Sequence, residues 1–212
     1  MGTPCSKCSS RTSHKGPNIA IYCCEDCFRW PVWCSKCIVD THLAIPFHDI
    51  CKWEGGCFQH WSLISLGMEV HLGHSGQICP LITDSCIHQN FTVTDTYGIH
   101  KINVVFCRCA GSSDHVQQLL RAKLFPATTT QPSSVFTFKV LCHFHKMTNE
   151  SGSSAYSYFQ ALRRLTNDIN PTSVPVRLSF SLLYSPFKYV LGSILRIPSC
   201  YKILGTPSTT ET

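Results

Sequence analysis

Charge is scarce in this chain. Only 14% of its 212 residues are Asp, Glu, Lys or Arg, and just 12 are acidic. Two-metal phosphoryl transfer needs several carboxylates converging on one ion pair. Asp95 falls in an expected strand, but Asp84 and Asp114 fall in expected loops and Asp168 ends a helix, so no catalytic cluster emerges. Long hydrophobic runs are also missing. Stretches such as SFSLLY and YVLGSIL are interrupted by Lys188 and Arg196, and none reaches the ~18 apolar residues of a membrane span. The first residues, MGTPCSKCSS, lack the basic and apolar regions of a secretory signal. Residues 1–50 have little aliphatic periodicity, so a hydrophobic core alone does not account for their folding.

What the chain does have is cysteine, fifteen residues of it. An odd count without a signal argues against a secreted disulfide framework and for reduced thiols. Cys5-x-x-Cys8, Cys24-x-x-Cys27 and Cys34-x-x-Cys37 are followed by His42 and His48. Each thiol pair spans a tight turn whose two sulfurs reach one ion, and eight such ligands complete two tetrahedral zinc sites. Cys23 adjoins Cys24, but only Cys24 keeps the chelating spacing. The order of pairs resembles the cross-braced zinc modules of the B-box and ZZ type. That resemblance implies one site of Cys5, Cys8, Cys34 and Cys37 and another of Cys24, Cys27, His42 and His48. A consecutive pairing is the alternative.

Beyond residue 50 a linker-like stretch runs to Gly56, with Trp53 as an anchor, and 58–66 suits a short helix stopped by Gly67. Alternating apolar residues predict strands over 68–72, 91–96 and 99–106, the last two joined at Tyr97-Gly98 as a hairpin. Asp114, Ser134 and Ser154 are candidate caps of three helices. The expected stripes are Phe136, Val140, Phe144 and Met147 in the second, and Ala155, Phe159, Leu162 and Thr166 in the third. On a strand Cys107 and Cys109 share a face. With His74 and Cys79 they make a third site of three thiolates and one imidazole; buried thiols and a turn-capping His74 are the alternative. His100 and His71 read as core histidines. His143 and His145 splay around a helix. Cys51, Cys57, Cys86, Cys142 and Cys200 are isolated thiols.

Read in order, Gly55–Phe58 after Trp53, Leu72-Gly73-His74, Cys79-Pro80, FTVTDTYGIHKINVVFCRC, QQLLRAKLFPAT and SAYSYFQALRRLTND resemble the CxC-type cysteine-cluster domain associated with KDZ transposases of fungal mobile elements. Cys107-Arg108-Cys109 is the CxC itself. The resemblance implies a nuclear, zinc-binding region preceding a transposase catalytic domain. The expectation is a truncated copy that stops before that catalytic segment.

The expected fold is therefore α+β and zinc-stabilised. A cross-braced module (1–50) is followed by a small antiparallel β region with the CxC (51–110), a helical region (111–170) and a divergent, poorly ordered tail (171–212). Every expected zinc site is filled by four protein ligands, the structural rather than the catalytic arrangement. The expected function is non-catalytic recognition of element DNA or of a protein partner, without a membrane or a small-molecule substrate. An autonomous zinc enzyme is the remote alternative. The formal charge of +6 falls to +3 when a four-cysteine site (−2), a neutral two-histidine site and a three-cysteine site (−1) are loaded. The excess lies in the last third, where Arg163, Arg164, Arg177, Lys188, Arg196 and Lys202 face only two acids. Phe28, Trp30, Trp33 and Trp53 suit a minimal core beside the zinc ions.

Overall fold

A computed structural model describes residues 3–8, 18–80, 88–109, 111–128 and 130–174. The chain begins with two short paired strands, β1 (Thr3–Pro4) and β2 (Ile19–Ala20). β3 (Tyr22–Cys24), β4 (Val32–Trp33), β5 (Ile50–Glu54) and β6 (Cys57–Trp61) then form an antiparallel sheet in the order β4-β3-β5-β6. Helix α1 (Ser35–His42) lies between β4 and β5 in sequence. Its Ile38 packs with Tyr22, Cys24, Ile50, Leu63 and Met68.

This sheet runs past the expected module boundary at residue 50, and the expected linker is strand β5. The segment expected to be a helix over 58–66 is divided between β6 and a 3₁₀ turn at Ile64–Leu66. The physical reason is Gly55-Gly56, both at positive φ (61° and 92°). Two such residues make the tight turn whose twist suits a two-residue hairpin, so residues 57–61 pair back on β5 instead of coiling. Gly67, at φ 80°, does end the 3₁₀ turn.

The second sheet has five strands. β7 (Glu69–His71), β8 (His88–Asp95), β9 (Gly98–Val105), β10 (Leu124–Pro126) and β11 (Ser134–Thr137) take the order β10-β11-β8-β9-β7. The expected hairpin is present, paired from Asp95↔Gly98 to His88↔Val105. The sheet is mixed rather than antiparallel throughout, because β7 runs parallel to β9 and β11 parallel to β8. α2 (His115–Arg121) is capped by Asp114, which accepts the Gln117 N–H at 2.7 Å. α3 (Phe138–Ser151) begins later than expected. Ser134 through Thr137 is strand, Thr137 supplies the cap to Val140 N–H, and Phe136 belongs to the sheet. α4 (Ala155–Thr166) is capped by Ser154.

Strand parity divides the core between two faces. Phe91, Val93, Ile102, Val104, Phe106, Leu124 and Val135 pack with Leu119 of α2 and with Phe47 from the loop after α1. Ile99 and Phe136 face the other way, onto Val140 of α3, Phe159 and Leu162 of α4, and Val174. Val174 lies in the expected tail; the remaining tail, 175–212, is outside the described residues.

Candidate metal centres

Each end of α1 serves a different cluster. Cys34 is its N-cap and Cys37 lies in its first turn, where the Ile38 N–H already bonds the Cys34 carbonyl at 3.0 Å. Both thiols therefore sit at the positive end of the helix, whose field opposes the burial that raises their pKa values. Cys5 follows β1, held by its N–H to the Asn18 carbonyl at 2.8 Å, and Cys8 closes the turn after it. The ligand atoms of Cys5, Cys8, Cys34 and Cys37 lie within 4.8 Å of one another. The Asn18 side-chain amide donates to the Cys8 sulfur at 3.6 Å, and Lys7 bonds Thr41 across the same face.

At the other end of α1, fully buried His42 joins Cys24, Cys27 and His48 in a second group within the same limit. Cys24 ends β3 and Cys27 follows a tight turn. That turn is tied to the His48 loop twice: Glu25 N–H bonds the Asp49 carbonyl at 3.0 Å, and Asp49 N–H bonds the Asp26 carboxylate at 2.7 Å. His42 Nδ1 lies 2.7 Å from the Ile38 carbonyl and must donate to it, which leaves the Nε2 lone pair free toward Cys27, 3.5 Å away. His48 presents Nδ1 at 3.5 Å from Cys24 and 3.6 Å from Cys27. Burial lowers the pKa of both imidazoles, so they stay neutral and able to ligate.

The third group is His74, Cys79, Cys107 and Cys109. β9 ends at Val105, so Cys107 and Cys109 lie beyond the strand expected to align them. Gln118 of α2 does the aligning. Its Oε1 accepts the Cys107 N–H at 2.9 Å and its Nε2 donates to the Cys107 carbonyl at 2.9 Å. A buried primary amide thus pairs with a peptide group as a strand neighbour would. His74 arrives from a 3₁₀ turn after β7 with φ 50°. Gly73 before it is obligatory for space, since a Cβ there would stand 2.4 Å from Cys107 Cβ. His74 Nε2 lies 3.4 Å from Cys107 and 3.3 Å from Cys109. Cys79 lies 3.9 Å from Cys107 and 3.4 Å from Cys109.

These distances test the fit of zinc. Bonds of about 2.3 Å to sulfur and 2.0–2.1 Å to nitrogen give tetrahedral edges of about 3.8 Å for S···S and 3.6 Å for S···N. Cys8···Cys34 is 3.8 Å and Cys79···Cys107 3.9 Å, Cys79···Cys109 is shorter at 3.4 Å, and the sulfur–imidazole edges run from 3.3 to 3.6 Å. The electrostatics agree. Burial and neighbouring Cys27 push Cys24 up to about 12. Burial, then the other three thiols, raise Cys37. Hydrogen bonds to Cys79 and Cys107 take Cys109 to about 12. In Cys5 burial acts upward, but backbone hydrogen bonds from Cys34, Lys7 and Cys8 outweigh it and leave the thiol at about 6. Crowded thiols that resist joint ionisation are the donor set a divalent cation stabilises.

Among the described residues no other Cys, His, Asp or Glu group gathers in this way. Cys23 points to the opposite sheet face from Cys24, beside Cys51, whose thiol donates to Glu25 at 2.9 Å. Cys57 is exposed. His100 is paired with Asp49 at 3.5 Å, and His143 with the Tyr158 hydroxyl at 2.6 Å. Asp95 is buried, accepting from Thr137 and the Tyr97 N–H, as a turn residue does. Phe28, Trp30 and Trp53, expected in a minimal core, are exposed, whereas Trp33 packs beside the first cluster. Cys86, Cys200 and Asp84 lie outside the described residues.

With this geometry established, one comparison decides the family. The description "CxC2 like cysteine cluster associated with KDZ transposases" matches residues 63–170. The chain belongs to that family. The matched CxC2 segment contains the whole third cluster, the five-stranded sheet and helices α2 to α4, while the two clusters of residues 5–48 precede it. CxC2 is an accessory cysteine cluster and not the transposase chemistry itself. No curated protein and no solved structure matches the chain. No helix among the described residues is long and apolar enough to cross a membrane.

Proposed function

We propose that this CxC2 chain is a non-catalytic, zinc-binding recognition region of a KDZ-type transposase, acting in the nucleus on element DNA. The observation that carries the reading is completeness. Each of the three clusters offers four protein donors, which leaves a zinc ion no open position for water or substrate. The alternation of donor pairs along residues 5–48 supports a cross-braced module of the B-box or ZZ kind. DNA contacts would be made to phosphate, since a net charge of about +3 with zinc loaded, its excess in the last third of the chain, provides attraction that carries no base preference.

A protein partner is the second reading, and a specific feature favours it. Phe28 and Trp30 are 87% and 56% exposed on either side of Arg29, and aromatic residues and arginine are the types enriched in protein interfaces. Titrating the zinc-loaded chain with element-end and unrelated duplexes at several salt concentrations separates the two. The DNA reading expects binding that weakens steeply with salt. No binding at low salt would leave the protein reading.

A further inference from the structure

Among the described residues the two larger sheets have four edges, and three are blunted. β4 is two residues long, β7 is three residues with Glu69, and β10 is three residues ending in Pro126. Short length, charge and proline are the usual protections against edge-to-edge pairing. The fourth edge, β6, has none of them. It is five residues long, Cys-Phe-Gln-His-Trp, and pairs with β5 without a bulge from Glu54↔Cys57 to Ile50↔Trp61.

The groups on this edge that no strand takes up among the described residues can be identified. Trp53 N–H bonds the Ile21 carbonyl at 2.7 Å, and Glu25 N–H bonds the Asp49 carbonyl at 3.0 Å, so alternate residues Asp49, Cys51 and Trp53 turn their backbone toward the β3 side. Ile50, Lys52 and Glu54 therefore turn toward β6, where their partners are Trp61, Gln59 and Cys57. The N–H and C=O groups of Phe58 and His60 point away from the sheet. They are placed symmetrically about Gln59. Phe58 also stacks edge-on with Trp53 at 5.0 Å, and the two rings are 40% and 44% exposed.

We propose that β6 pairs antiparallel with β6 of a second copy of this chain, making a continuous eight-stranded sheet about a two-fold axis at Gln59. In this register Phe58 exchanges backbone hydrogen bonds with the partner's His60, and Gln59 faces the partner's Gln59. Self-pairing is favoured over capture of an unrelated strand because the outward groups are self-complementary about Gln59. The strand also has no Lys, Arg, Asp or Glu, so no like charges are set opposite each other. The Trp53–Phe58 pair would lose its solvent exposure in the joint.

Sedimentation equilibrium of the full, zinc-loaded chain from micromolar to millimolar concentration tests this. The wild type is expected to dimerise. His60→Pro removes an outward N–H and spares the β5 ladder, and is expected to weaken the dimer on the order of tenfold to a hundredfold. Gln59→Lys alone and Gln59→Glu alone should each weaken it about fivefold by setting like charges opposite, while an equimolar mixture of the two should restore it. Zinc content measured in parallel confirms that each variant is folded. A monomer at every concentration, or a dimer that ignores all three variants, overturns the proposal. A monomer that binds an extended peptide on β6 overturns the second copy as occupant.

Discussion

The two halves of this molecule are held together differently. In the first, residues 3–61, the buried side chains around the clusters are largely the ligands themselves: Cys5, Cys34 and Cys37 with Ala20, and Cys24 beside Tyr22, Ile38 and Ile50. In the second, Phe91, Val93, Ile102, Val104, Phe106, Leu119, Leu124 and Val135 are each at most 2% exposed and form an apolar core without a ligand among them. The first half should depend on metal for its fold. In the second, a metal ion at the third cluster would fasten one corner of a sheet that can already bury its own surface.

The largest test of that contrast is Cys34→Ser. Loss of one ligand from a closed four-cysteine site should forfeit a large part of a coupled folding energy on the order of 10 kcal/mol. Hydrogen exchange should show loss of protection in β3 and β5, with β8 and β9 still protected. The converse variant is Phe91→Ala, expected to cost the second half about 3–5 kcal/mol. Denaturant melts of β8–β9 should shift, while the first two metal ions stay bound. Equal collapse of both halves in either variant would erase the distinction.

Gln118 and Gly73 sharpen the comparison at the corner where metal meets sheet. Gln118→Ala leaves the Cys107 N–H and C=O without partners, at a cost of about 1–3 kcal/mol. It should weaken the third site about 10–100-fold by competition with a zinc chelator, because the peptide that carries the Cys107 ligand is no longer held in place. Gly73→Ala drives a methyl against Cys107 and should cost about 1–3 kcal/mol, releasing the third ion before the other two.

Much of this architecture was legible because it is local. Cys-x-x-Cys spacing states its chemistry within four residues, and the fold gathers those pairs with His42 and His48 into two groups, and the CxC with His74 and Cys79 into a third. Asp114 and Ser154 could be read as caps, and β8–β9 as a hairpin, for the same reason. The misreadings concern partners distant in sequence. Ser134 looks like a helix cap, but pairing of residues 134–136 with β8 outweighs that preference and moves the cap to Thr137. The helix expected over 58–66 ignored a signal that was present, Gly55-Gly56. Gln118 carried no signal at all: its role depends on a peptide group eleven residues earlier, brought near by the sheet.

The smallest effect is acid sensitivity. His42 and His48 have folded-state pKa values below the ordinary 6.5 because of burial. Their neutral forms therefore stabilise the fold above the unfolded value, and that contribution is lost as pH falls through the lower folded value. Protons compete with metal in the same direction. Acidification should release the ion of the second cluster while the near-ultraviolet signal of the β8–β9 core persists.

The central claim, three closed zinc sites in one chain, is tested most directly by native mass spectrometry of the protein purified under reducing conditions. Three zinc ions per chain, with a mass deficit for displaced thiol protons, is the expected result. A folded chain with fewer than three ions, and with its cluster cysteines protonated or disulfide-linked, would contradict it.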